Sequence, residues 1–239
     1  MRWVCLALIG LASCASTPPA PEAAPPAAAP VAEAPTESKP EPARDEATRV
    51  AAAEAWLVSQ SVRTRFRVES AGAVASSFAG VLTMEGDRIE LSATGHFAQR
   101  PVKVSLKTDG VRMKGEGGSR SFDLPQPPGL RTVLGVSILR MGLLHTLAML
   151  VAGEPPDVPE AEVREWLVLT PQPGAPTVAV MDPHHAELPA DPITFRTAVA
   201  GDDSISATVW IEDDVLLERQ QETRFDEGTM QVLEAFEPL

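Results

Sequence analysis

From Val62 to Glu69 the chain alternates strictly, with Val62, Thr64, Phe66 and Val68 set against Arg63, Arg65, Arg67 and Glu69. A period of two marks a β-strand with one wet face. The same alternation returns in Ile89, Leu91 and Ala93, in Val102, Val104 and Leu106 opposed by Lys103 and Lys107, and in Val111 and Met113. Further runs follow at Trp166 to Leu169, Val178 and Val180, Ile193 to Val199, Ile205 to Ile211, Arg219 to Phe225 and Met230 to Phe236. Turn signals at Asp87, Asp109-Gly110 and Glu227-Gly228 sit where hairpins need them. No helical crossover separates most of these strands, so the pattern predicts one large antiparallel meander in a mainly β domain.

Two segments carry a helical pattern instead. Ala47 to Gln60 is rich in alanine, with Val50, Trp56 and Leu57 as a buried edge. Leu130 to Val151 is apolar at nearly every angle of the wheel, interrupted by Arg131, Arg140 and His145. Such a helix lies either in lipid or buried on several sides. Arg140 near its middle costs about 2.5 to 3.5 kcal/mol in a membrane, and a span there would place the later strands on the wrong side. The expectation is a single helix packed in the concavity of a curved sheet.

Ahead of the first helix the chain does not read as foldable. Arg2 and the apolar run from Val4 to Leu11 have the charge and length of a secretory leader. The leader closes on Leu11-Ala12-Ser13-Cys14, which looks like a bacterial lipobox. That likeness makes Cys14 the lipid-bearing first residue of the mature protein, with residues 1–13 removed; an ordinary signal cut after Ala15 or beyond is the alternative. Residues 14–46 are the lipidated cysteine and a Pro/Ala-rich segment with Glu, Ser and Thr, a composition that buries nothing and favours extended coil. It reads as a tether.

Residues 47–239 suit one domain with a sizeable core. The only cysteines are Cys5 and Cys14, so this domain has no disulfide and no thiolate metal site. A net charge of -13 argues against nucleic acid and against a polybasic hold on anionic lipid. Membrane attachment is expected through the lipid on Cys14; stable anchoring takes a second acyl signal, and the lipobox likeness implies a diacylglyceryl and an N-acyl group that together supply it. A monomer without cofactor is expected.

The order of a leading helix, a long antiparallel sheet, a mid-chain apolar helix and closing strands, behind a lipobox, resembles the LolA/LolB-like superfamily of periplasmic lipoprotein carriers and acceptors. Gly80 to Leu91 with Gly95-His96-Phe97, and later Ala207 to Glu212, Leu217-Glu218-Arg219 and Gly228 to Glu234, carry the local likeness. The resemblance implies a half-open β-barrel with helices on its concave side, a cavity that holds acyl chains or lipoproteins, and no catalysis. The positions assigned to that cavity are Phe66, Leu91, Val104, Met113, Leu139, Leu143 and Val209. Phe97 matches an apolar residue on a protruding, membrane-directed loop; its alternative is to fold back on the core. Arg140 is assigned either to gating the cavity or to reaching the surface, and Arg88 to the same gate. The domain departs from the family's aromatic cavities, since it has no tyrosine and 5% aromatic residues overall. Ala15 lacks the aspartate that retains lipoproteins at the inner membrane, so the likeness implies the outer membrane, with the domain facing the periplasm.

Met181-Asp182-Pro183-His184-His185 is the one run with metal-ligand residue types, and no third partner is evident in the sequence. A solvated loop is its default reading. No Gly-x-Ser-x-Gly elbow is present, and Ser137 lies inside the apolar helix. Two functions are therefore carried forward. One is a lipid-anchored envelope protein that binds acyl chains or lipoproteins, with a place in lipoprotein localisation. The other is a tethered structural or interaction protein whose own helix fills the sheet.

Overall fold

The computed structural model describes residues 44–239 apart from 157, 179, 180, 186, 226 and 227, with backbone alone at 202–204. The leader, Cys14 and most of the tether lie outside the described residues. The first described helix, α1 (Glu46–Ser59), begins where Asp45 accepts a hydrogen bond from Thr48 N at 2.7 Å. This cap satisfies one of the orphan donors of the first turn.

Eleven antiparallel strands follow in one sheet: β1 (Val62–Gly72), β2 (Ser76–Glu85), β3 (Arg88–Phe97), β4 (Arg100–Thr108), β5 (Arg112–Gly117), β6 (Arg120–Pro125), β7 (Leu167–Pro171), β8 (Ile193–Val199), β9 (Asp202–Glu212), β10 (Val215–Phe225) and β11 (Gly228–Pro238). Their spatial order is β6-β5-β4-β3-β2-β1-β11-β10-β9-β8-β7. The return of β11 to β1 joins two meanders, with Phe66 opposite Phe236 across the seam. Three further helices, α2 (Leu130–Arg140), α3 (Leu143–Ala152) and α4 (Glu160–Trp166), join the meanders. α3 packs on β4, β5 and β11, while α2 packs on α1, α4 and β7. The sheet therefore curls round the helices as a half-open barrel; the alternation predicts its antiparallel meander, and the half-open barrel is what the resemblance implies.

Several expectations need correction. The apolar stretch is not one helix but α2 and α3, bent by 120° at Met141-Gly142. No single helix among the described residues is long and apolar enough to cross a membrane. Val178 lies in an irregular strap between β7 and β8, and Val180 falls outside the described residues. β6 and α4 carry no clear pattern of their own. β6 is an exposed edge strand, and its Phe122 ring occupies the space that a side chain at Gly115 would need.

Since every neighbouring pair is antiparallel, the hairpins alternate between two ends of the barrel. The turns at Gly86-Asp87, Asp109-Gly110 and Asp213-Asp214 share one end with Pro238. α1 enters there, with Arg44 Nη1 2.8 Å from Asp214 Oδ1. The opposite end carries the β1–β2, β3–β4, β8–β9 and β10–β11 turns.

Candidate functional site

The opposite end holds a cavity of about 380 Å³. Val74 from the β1–β2 turn, Phe97 closing β3, Val199 and Ile205 flanking the β8–β9 turn, and Phe225 and Met230 flanking the β10–β11 turn line it from the sheet. Met141, Leu144, His145 and Ala148 line it from the helix corner and α3, and Trp166 from the end of α4. Gln221 and Thr223 on β10 and His145 are the polar members of this wall. Phe225 is 46% exposed, a large apolar side chain held in solvent at the lip. Phe97 does not project outward: its ring lies 6.5 Å from that of Phe78 and packs against the core. The turn beyond it, Ala98-Gln99, has φ of 47° and 65°, the left-handed pair of a tight two-residue hairpin.

The positions assigned to the cavity from the sequence are placed elsewhere. Phe66, Leu91, Val104, Met113, Leu139, Leu143 and Val209 are buried in the packed core, and none lines this cavity. The five strand residues face inward as expected, but α2 and α3, which carry Leu139 and Leu143, pack over that face. Arg140 does not line the cavity either. Its Nε donates to Glu54 Oε2 at 2.7 Å and its Nη1 to Leu167 O at 2.7 Å, tying α2 to α1 and β7. Glu54 also receives Arg164 at 2.9 Å, so one carboxylate joins α1, α2 and α4. Arg88 is exposed at the start of β3, at the end remote from the cavity. Neither arginine is among the residues that line the cavity.

Behind the cavity lies a charged pair that sequence reading did not single out. Arg219 on β10 and Glu234 on β11 are direct cross-strand partners on the inward face, both 0% exposed. Arg219 Nε donates to Leu139 O at 3.0 Å and Nη2 to Arg140 O at 3.2 Å, closing the C-terminus of α2. Glu234 Oε1 accepts from Leu144 N at 2.9 Å, closing the N-terminus of α3. Each charge thus meets the helix end of opposite polarity. Burial pushes the Glu234 carboxyl above its usual range, opposed by Arg219 and the Leu144 and Leu143 N–H groups. Burial likewise lowers Arg219 to about 10, with Glu234 opposing. Gly142 is required at this corner. Its φ is +104°, and a Cβ there would stand 2.7 Å from Arg219 Nη1 and 2.8 Å from Glu234 Oε1.

Arg219 also starts a polar row along the inward face of β10. Its Nη1 donates to Gln221 Oε1, and Gln221 Nε2 donates to Thr223 Oγ1 at 3.1 Å, in the cavity wall. His145, mostly buried beside them, is held by desolvation below the ordinary imidazole value of 6.5. The signal for this row was present in the sequence: from Glu218 to Glu222 both faces of the strand are polar, which an ordinary half-buried strand does not show.

The Met181 to His185 run lies on the outer face. Met181 N donates to Gln220 Oε1 at 3.2 Å, His184 N to Glu218 Oε2 at 3.0 Å, and His185 Nε2 to Leu217 O at 3.1 Å. These residues pin the strap to β10. Among the described residues no three His, Cys, Asp or Glu side chains are grouped to hold a metal ion.

No protein-family model matches the chain, and no curated protein does. Fourteen chains of solved structures match. One of them, described as "Crystal structure of MucB", is similar with a TM-score of 0.32 and 9% sequence identity, over 80% of this chain and 56% of that one. The chain therefore spans just over half the length of that protein. The strand order itself defines the fold as an open, curled antiparallel sheet with its helices on the concave side.

Proposed function

We propose that the protein binds an acyl chain in the cavity at the far end of its barrel and acts as a lipid-anchored carrier or receptor of the cell envelope. One observation carries this reading: a cavity of about 380 Å³ walled mainly by apolar side chains, with Phe225 exposed at its lip. The volume lies toward the small end of the roughly 300 to 1,000 Å³ in which proteins hold small molecules. It suits one chain rather than the several chains of a lipidated cysteine. Each methylene moved from water into such a wall contributes about 0.8 kcal/mol, so a chain of modest length is held without any catalytic group. The resemblance of the element order to the LolA/LolB-like superfamily supports the same reading. The likeness of residues 11–14 to a lipobox supports attachment through Cys14, and Ala15 after it supports the outer membrane, with the domain facing the periplasm.

The second reading, a tethered structural or interaction protein, is favoured by the way α2 and α3 fill most of the concavity, with Leu139 and Leu143 at 0% exposure. Native mass spectrometry of the full chain, purified without detergent, separates the two. A bound species with the mass of a fatty acid or single-chain lipid is expected. A clean protein mass that stays unchanged after incubation with such lipids would leave the interaction protein.

A further inference from the structure

We infer that the cavity recognises the carbonyl oxygen of a single-chain acyl lipid, through the Thr223 hydroxyl at the end of the Arg219–Gln221–Thr223 relay. The inference rests on the acyl-binding reading and adds to it a polar seat and its chemistry. It follows from donor and acceptor counting. A guanidinium has donors only, so Gln221 must turn its Oε1 toward Arg219, which fixes the amide the other way round and aims Nε2 at Thr223. A hydroxyl that accepts from Gln221 still has its one O–H to give. Among the described residues, none takes that proton.

Arg219, Gln221 and Thr223 alternate along one strand, so their side chains share the inward face and step from the helix corner to the cavity. The relay thus carries a buried positive charge outward as a row of donors, ending among Phe97, Met141, Leu144, Ile205, Phe225 and Met230. A buried donor needs an acceptor. In a wall whose other polar side chains are Gln221, already engaged in the relay, and His145, the matching ligand is a hydrocarbon with one oxygen acceptor, as an acyl ester or fatty acid provides. A cationic head group faces the wrong end of the relay.

The test compares the full chain with its Thr223→Val and Thr223→Ser variants, by displacement of a polarity-sensitive dye with dodecane, methyl laurate and laurate. Loss of the hydroxyl is expected to weaken methyl laurate or laurate by about five- to tenfold, with dodecane changed less than about twofold. Thr223→Ser is expected to retain the wild-type order, which separates recognition from a folding defect, checked by thermal melting. A selective loss with either acyl probe supports the seat, and the probe that responds says whether ester or free acid is the source. Equal losses for dodecane and the acyl probes, or no loss at all, overturn it while leaving the cavity reading intact. Failure of the wild-type chain to bind any of the three probes overturns both.

Discussion

Arg219 and Glu234 face each other across β10 and β11 with Nη1 and Oε2 3.9 Å apart, and each closes one helix end at the corner between α2 and α3. The pair is fully buried, so the worth of one member depends on the other. Removing Arg219 strands the carboxylate and frees the carbonyl of Leu139, while Arg140 O keeps its bond from Thr197 Oγ1 at 2.7 Å. Arg219→Met is expected to cost about 3 to 5 kcal/mol, measured by urea unfolding. Glu234→Gln keeps an acceptor for Leu144 N and is expected to cost less. The double variant should be more stable than the sum of the two single losses, which a double-mutant cycle reads directly.

Gly142 makes that corner possible. Gly142→Ala combines a positive φ with a Cβ that meets both members of the pair, and both ends of the clash are buried and held. A loss of about 2 kcal/mol or more is expected by the same unfolding measurement. A loss below about 0.5 kcal/mol would show that the corner relaxes freely.

His145 gives the fold an acid-side dependence. Burial lowers its value in the folded protein, so the unfolded chain takes up the proton more readily. Its contribution to stability is therefore complete above the unfolded value of about 6.5 and is lost as pH falls through the lowered folded value. Melting temperatures of the wild type and His145→Asn are expected to diverge in this window, the wild type falling more steeply with acid. Parallel curves would remove His145 from the account.

Ala148 faces the cavity from α3 with little side chain of its own. Ala148→Phe fills space that is already empty, so its effect on stability is expected to stay within about 1 to 2 kcal/mol. Loss of co-purifying lipid in native mass spectrometry, with an unchanged fold by circular dichroism, is the expected result. Undiminished lipid in this variant would place the ligand elsewhere.

Cys14 carries the expectation about anchoring. In cells, the wild type is expected in the membrane fraction and Cys14→Ala in the soluble or uncleaved fraction, as read by fractionation and intact mass. Equal partitioning of the two would return the leader to an ordinary signal.

What the sequence determined is local. Alternation set most of the strands and their inward faces, with β6, the polar stretch of β10 and the exposed Val111 as exceptions, because a strand's side chains leave it on opposite sides whatever it packs against. Alanine content and the Asp45 cap set α1. Other features were decided only when distant strands met. The apolar wheel of Leu130 to Val151 says that the segment is buried, but not that it turns by 120°. That turn depends on Gly142 meeting Arg219 and Glu234, charges that lie far along the chain and become neighbours only through the β10–β11 register. The cavity has the same origin. Phe66, Leu91 and Val209 have the same inward apolar character as Ile205 and Met230, and no local pattern tells them apart. Which of them face empty space follows from where α3 stops covering the sheet, a property of the assembled layers and of no single segment.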